Sequence, residues 1–247
     1  MNGWPDGYGR RVLDEVDSTM AVAARVVSEL SGPEWILARR QVAARGRRGR
    51  AWRDPGGNFA ATLVLRRDDP PGQLALRSFV AALALFDACV AVTGRAESFA
   101  LKWPNDVLLN GGKLAGILLE SSGQMGGQTH LFIGIGVNLS HVPETVDEGA
   151  VPPVSLRQAL GVEVTPELFL DQLAAAFAKR EAAFQTYGFQ PIREAWLSRA
   201  ARLGEVITAR TTKDETTGTF ETVDEVGNLV LSTPKGRVAI AAADIFF

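Results

Sequence analysis

Apolar positions along the chain recur with two different periods, and the switches between them mark the elements. Over DSTMAVAARVVSEL (17–30), Met20, Ala23, Ala24, Val27 and Leu30 fall on one helical face. Asp17, Ser18 or Thr19 can cap that helix, and Gly32-Pro33 stops it. EWILARRQV (34–42) and NFAATLVLR (58–66) have strand character, and the Ala- and Leu-rich stretch 73–93 predicts a long, mostly buried helix.

Four β-type runs follow, SFALKW, DVLLN, KLAGILLES and THLFIGIGVNLS, broken by Pro104-Asn105, Gly111-Gly112 and Gly123–Gly127. Gly111-Gly112 predicts a two-residue hairpin, because glycine takes positive φ at both central positions. That register sets Asn110 opposite Lys113 and Leu108 opposite Ala115, with Asp106 on the same sheet face as Lys113. Thr165-Pro166-Glu167 opens another helix, cap then proline, with Phe169, Leu173, Phe177 and Phe184 at helical spacing. A shorter helix spans 191–201. After Arg202 come short strands, GEVITAR, TGTFETVD, GNLVLST and RVAIAAADIFF, with turns at Gly227-Asn228 and Pro234–Gly236. The order predicts an α+β fold: a mixed β-sheet with flanking helices over 1–202 and a small β-barrel-like domain over 203–247.

Composition narrows the chemistry. Lys plus Arg number 26 against 28 Asp plus Glu, a formal net charge of −2, so nothing draws the whole chain to nucleic acid or an anionic membrane. The one cysteine, Cys89, lies in an apolar run and reads as a small buried hydrophobe. With only His130 and His141 beside it, there is little material for a zinc site. The N-terminus lacks a signal-peptide apolar region, and the apolar stretch 79–92 is short for a bilayer and interrupted by Asp87. The expectation is a soluble cytoplasmic protein.

Against that neutral background, QVAARGRRGRAWRDPGGNF packs Arg45, Arg47, Arg48 and Arg50 into six positions. Arginine forks bind two phosphate oxygens at once, and Gly46 and Gly49 let the backbone come close to an anion. Charge runs are more often solvated surface, but here Trp52 follows with an aromatic face and DPGGN makes the next turn tight. Neither the dinucleotide-binding glycine pattern nor a Walker A loop is present. Beyond the loop, KWPNDVLLNGGKLAGILLES places Lys102 and Lys113 around a Trp-Pro-Asn-Asp turn, with Gly116 leaving one strand face open. A lysine facing a pocket can stabilise developing negative charge; alone, Lys113 would read as an edge-strand lysine pointing to water.

Taken together, the chain resembles the biotin protein ligases. DSTM, RRQVAARGRRGRAW, GNFAATLVLR, LKWPNDVLLNGGKLAGILLE, IGIGVNL and the small β domain follow one another in order. The resemblance implies ATP-dependent activation of biotin to biotinyl-5′-AMP and transfer to a lysine of a biotin carboxyl carrier protein, on a biotin/lipoate ligase-like catalytic domain followed by an SH3-like barrel. It also implies site roles. Ser18, Thr19, Met20 and Gln41 would take the biotin head, with Gly116 letting biotin lie against the strand. Arg45, Gly46 and Arg47 would hold the carboxylate and α-phosphate, and Arg48 and Arg50 would order the loop or bind pyrophosphate. Trp52 would cover the adenine or biotinyl end. Lys113 would be the essential lysine, and Lys102, Asn105 and Asn138 would lie near the nucleotide. Asp106 would meet Mg²⁺ brought in with ATP.

Two residues depart from the family pattern: Ala44 stands where Gly is usual, and Met20 where Asn is usual. The short stretch before DSTM leaves no room for a helix-turn-helix, so the expectation is a ligase that does not bind DNA. Pairing of two copies through edge strands stays open. A lipoate or octanoate ligase or transferase is the neighbouring reading. An Arg-Gly nucleic-acid clamp with Trp52 stacking is a different class of reading, and an inactive relative that binds biotin without chemistry is a third.

Overall fold

The computed structural model describes residues 3–52, 55–125, 128–143 and 151–247. Strand β1 (Gly9–Val16) runs parallel to β2 (Glu34–Gln41), joined by the crossover helix α1 (Thr19–Val26). Then come β3 (Phe59–Arg67), α2 (Pro71–Thr93), β4 (Phe99–Lys102), β5 (Asp106–Leu109), β6 (Gly112–Met125) and β7 (Gln128–Val137). They form one mixed seven-stranded sheet of order β1-β2-β3-β7-β6-β5-β4, in which every pair except β1–β2 is antiparallel. Helices α3 (Leu156–Leu160), α4 (Pro166–Tyr187) and α5 (Phe189–Leu197) follow. Thr165 caps α4 by accepting from the Leu168 amide.

Strand β1 was not foreseen. Its sequence, GRRVLDEV, mixes four charged residues with three apolar ones, as suits a sheet edge. The charges are used locally: Arg11 pairs with Glu34, Arg39 with Asp14 and Arg40 with Glu15.

Alternation in the central strands builds two unequal cores. Trp35, Leu37, Leu63, Leu65, Leu131 and Ile133 point to one side, where α2 and α4 cover them and α5 packs in turn on those helices. Ile36, Val64 and Phe132 point to the other, where Val22 and Ala23 of α1, with Val27 and Leu30 just beyond it, make a small cap. Helix α2, at 23 residues, extends past the 79–92 run and has the length and apolarity of a membrane span. However, 67% of its apolar window is covered by the protein, which makes it a core helix here. Cys89 is fully buried within it, and burial pushes its thiol pKa up, so it packs as a hydrophobe.

The β5–β6 turn corrects the expected register. Asn110 and Gly111 carry the positive φ values, 49° and 83°, so the tight turn sits one residue earlier than Gly111-Gly112. Leu108 therefore faces Lys113, Leu109 faces Gly112, and Val107 faces Ala115, which leaves Leu114 as an extra, bulged residue. Asp106 and Lys113 still share a face. The bulge adds something more: it puts Lys113 and Gly116, three residues apart, on that same face. Of the Gly123–Gly127 break and the DPGGN turn, Gly126, Gly127 and Asp54 lie outside the described residues.

A second sheet is wholly antiparallel: β8 (Val206–Arg210), β9 (Glu215–Val223), β10 (Leu229–Thr233), β11 (Gly236–Ile240) and β12 (Asp244–Phe246), in order β11-β10-β9-β8-β12. It docks against the first part through the Trp103 indole, whose Nε1 donates to the Gly227 carbonyl at 3.1 Å. Gly227 also packs on Leu76 and Phe79, where a Cβ would come within 3.1 Å of either side chain.

Candidate active site

On the α1 side of the sheet, β7 reads Phe132, Gly134, Gly136. The phenylalanine completes the small core, and the glycines then leave the sheet bare. Register completes this floor, with Gly136 opposite Gly116 of β6 and Gly134 between Thr62 of β3 and Leu118 of β6. Above it opens a cavity of about 540 Å³, within the range of small-molecule sites. Its walls are the α1 N-terminus, the arginine loop, the β4–β6 hairpins and the tip of β12.

One end of the floor is polar but uncharged. Buried Thr19 donates its amide (2.8 Å) and its hydroxyl (3.2 Å) to the Gln41 side-chain oxygen. Thr62, fully buried within the apolar run FAATLVL of β3, donates to the Thr19 hydroxyl at 2.8 Å. The Ser18 hydroxyl accepts from the Ala21 amide and caps α1. Met20 lies against Gly134, where a Cβ would come within 3.0 Å of its sulfur. Asp17 at the rim is held well below the ordinary carboxylate pKa by Arg25, with help from the Ser18 amide.

At the opposite end the walls are cationic. Lys113 Nζ is 2.9 Å from Asp106 Oδ1. Lys102 lies directly across β4–β5 from Asp106, and burial pushes its pKa below that of an ordinary lysine. Arg47 reaches the Asn105 side-chain oxygen at 3.2 Å, and Asn105 in turn donates to the Ile117 carbonyl at 2.7 Å. Lys113 is fixed from behind: its amide donates to the Pro152 carbonyl and its carbonyl accepts from Val154.

The arginine loop is folded over this end by its own backbone. Gly46 N–H donates to the Arg50 carbonyl at 2.7 Å and Trp52 N–H to the Ala44 carbonyl at 3.0 Å. The positive φ falls on Arg48 (57°) and Gly49 (72°), so Ala44 takes an ordinary φ and its lost glycine carries no strain. Arg48 and Arg50 both reach Asp244 of β12, at 2.6 and 2.8 Å. Though exposed, they are paired with a carboxylate of the fold, which offsets part of the charge a nucleic-acid clamp would need.

Ser18, Thr19, Met20, Gln41, Arg45, Gly46, Arg47, Arg50, Trp52, Lys102, Asn105, Asp106, Lys113 and Gly116 all line the one cavity. Arg48 and Asn138 are not among its lining residues. Asn138 is buried behind Lys113: its amide donates to the Leu114 carbonyl at 2.9 Å and its side chain to the Lys113 carbonyl at 3.4 Å. It braces the bulge that aims Lys113. Sequence reasoning missed Thr62, Gly134, Gly136 and Asp244. A threonine inside FAATLVL was a readable sign of a polar network, whereas nothing local marks Asp244.

The sequence profile of the Biotin/lipoate A/B protein ligase family matches residues 12–138, and that of the biotin protein ligase C-terminal domain matches 203–247. A biotin–acetyl-CoA-carboxylase ligase of Paracoccus denitrificans is 56% identical, over 96% of this chain and 99% of that protein. The chain belongs to the biotin protein ligase family. The bifunctional ligase/repressor BirA of Bacillus subtilis is 33% identical over 95% of the chain and 73% of its own length. Among solved structures, the fold is that of the Aquifex aeolicus biotin protein ligase in complex with biotin and ATP (TM-score 0.80, 24% identity, 96% and 97% of the two chains). It is likewise that of the Leishmania major enzyme in complex with biotinyl-5-AMP (TM-score 0.69, 22% identity, 96% and 100% covered).

Proposed function

We propose that this cavity activates biotin with ATP to biotinyl-5′-AMP and passes the biotinyl group to a lysine of the carboxylase's biotin carrier. The observation that carries the reading is the polarity of the floor, neutral hydrogen-bonding groups at the Thr62–Gly134 end and clustered cations at the Gly116–Lys113 end. A ureido head suits the first, where Thr19 and Gln41 are pre-oriented. A carboxylate brought up to a triphosphate suits the second. Residues 1–202 supply the catalytic unit in this reading, and 203–247 a smaller domain that contributes Asp244.

In the first half-reaction the biotin carboxylate attacks the α-phosphorus and pyrophosphate leaves. Both reactants are anionic, so Lys113 and Arg47 offset their repulsion and stabilise the charge that accumulates on the pentacoordinate phosphorus. Lys102 and Arg45 add positive potential at the cavity wall. In the second, the neutral amine of the carrier lysine attacks the acyl carbonyl, AMP departs and the amine loses a proton. Between the halves the mixed anhydride must be kept from water, which the folded arginine loop and Trp52 would do.

Among the described residues no group of three His, Cys, Asp or Glu is placed to cage a metal. Mg²⁺, an ion commonly held by substrate phosphates, water and one or two carboxylates, would arrive with ATP. Of the two carboxylates on the cationic side, Asp244 is taken by Arg48 and Arg50, so Asp106 is the one that would meet Mg²⁺, which would neutralise the leaving pyrophosphate.

ATP–pyrophosphate exchange with the purified chain and Mg²⁺ tests the reading, with biotin, with lipoate and with neither. Exchange dependent on biotin is expected. Exchange dependent on lipoate would keep the chemistry and replace the substrate, and exchange with neither would remove the adenylating role.

A further inference from the structure

The loop over the cavity is tied down at two places that no catalytic role explains. The first is the floor itself. Trp52's indole lies on Gly136 so closely that a Cβ there would come within 2.6 Å of Cε2 and 2.7 Å of Cζ2. Across the register pair, a Cβ on Gly116 would come within 3.4 Å of the same ring. Two facing glycines thus form a flat seat for one aromatic side chain, and about 540 Å³ of cavity remains with the indole in place. Trp52 is a wall of the site rather than its plug.

The second tie comes from the other sheet. Asp244, which is largely buried at the start of β12, accepts from both Arg48 and Arg50. Arg48 holds a left-handed φ of 57°, a conformation that non-glycine residues disfavour. A partner that takes two guanidiniums at once is a sufficient reason for that conformation to persist. Because Gly46 bonds to Arg50 and Ala44 to Trp52, the loop moves as one piece, and either tie restrains all of it.

We infer that Gly136 and Asp244 are positioning residues that hold the arginine loop shut, Gly136 by seating the Trp52 indole and Asp244 by clamping Arg48 and Arg50 from the second sheet. The catalytic consequence, retention of the adenylate, rests on the proposed function; the loop's position does not. Its natural probe is trypsin: the loop offers four arginines, and even where their side chains are exposed, cleavage needs the backbone to leave its folded path.

With the full chain free of ligand, Gly136→Ala and Asp244→Asn are each expected to raise cleavage after Arg45, Arg47, Arg48 or Arg50 about tenfold, with cleavage elsewhere unchanged. Asp244→Glu should restore protection. Trp52→Ala with Gly136→Ala should be cleaved no faster than Trp52→Ala alone, because both remove one tie. Both ties lost together, in Gly136→Ala with Asp244→Asn, should open the loop further than either single change. Loop cleavage unchanged in Gly136→Ala overturns the seat, and unchanged in Asp244→Asn overturns the clamp. If cleavage rises as expected but biotin supports no ATP–pyrophosphate exchange, the ties stand and the adenylating reading falls. If exchange is present, the two single variants should also release biotinyl-5′-AMP faster than the parent; equal retention would overturn the shielding consequence.

Discussion

Two clusters of charge sit in this molecule, and they are built on opposite plans. One, beneath α2 and α4, is closed. Glu181, 2% exposed, accepts from Arg67 at 2.9 Å, Arg77 at 3.0 Å and Gln185 at 2.9 Å. Arg77 also pairs with Asp69 and lies over the Phe184 ring. Two cations meet two anions there, and none of the four lines the cavity over the glycine floor. The other cluster is open: Asp106 and Asp244 stand among Arg47, Arg50, Lys102 and Lys113 on the cavity wall, with Arg48 reaching Asp244 from beside it. Two carboxylates among five cations leave positive potential for an outside anion. Burial alone does not separate a structural charge cluster from a working one; the sign of what is left over does.

Removing one member should therefore have opposite effects in the two places. Lys113→Met takes away transition-state stabilisation in the open cluster. Biotin-dependent exchange should fall by about a thousandfold, while the melting temperature stays close to that of the parent. Near-parental turnover measured by exchange kinetics would break the comparison at its strongest point. Glu181→Gln is the counterpart, removing the anion that Arg67 and Arg77 share and leaving the buried Arg77 with Asp69 alone. A loss of about 3 kcal/mol is expected, seen as a fall in Tm of roughly 6–12 °C, with exchange per folded molecule intact at low temperature. A stable Glu181→Gln variant would show that the closed cluster is not compensated in the way its geometry implies.

Much of the open cluster could be read from the chain, and the reason is local. KWPND and KLAGIL place their residues on adjacent strands a few positions apart, so spacing alone brings Lys102, Asp106 and Lys113 together. What escaped reading was long-range or irregular. Asp244 is 196 residues from Arg48 and meets it only because the second sheet docks through Trp103 and Gly227. The Leu114 bulge follows from the Asn110-Gly111 turn and Asn138's bond to Leu114, neither of which shows in hydrophobic alternation. Asn138 therefore reads from sequence as a ligand contact, whereas its place is behind Lys113. Strand β1 escaped because its charges answer other edge charges, leaving too weak an apolar period. The large features, α2, α4 and the β3–β7 core, were legible because each buries a run of apolar residues long enough to fix its own period.

A finer contrast lies within the cavity, between its neutral and cationic ends. Thr62→Val keeps the shape but removes the donor to Thr19, so the biotin-facing network loosens without touching the phosphate end. KM for biotin should rise about fivefold with kcat nearly unchanged, the size of one net hydrogen bond. An equal fall in kcat would mean that the two ends are coupled, and the division of labour would have to be redrawn.

The smallest expected effect is one of pH, and it isolates Lys102. Burial lowers its pKa, with Lys113 and Arg47 acting in the same direction and Asp106 and Asp244 opposing. Between the folded and unfolded values, the unfolded chain holds the proton and the folded chain does not. This group's contribution to stability therefore rises with pH across that window, and the cost of burying the ammonium is fully present below it. Nucleotide binding runs the other way, because phosphate prefers the ammonium. KM for ATP should begin to rise at a pH below the ordinary lysine value, and ATP binding near that pH should take up a proton. Lys102→Arg, which stays charged throughout, should abolish this alkaline limb and leave the neutral-pH KM within a fewfold of the parent. If the limb persists in that variant, another group carries the titration, and the excess charge of the open cluster does not depend on Lys102.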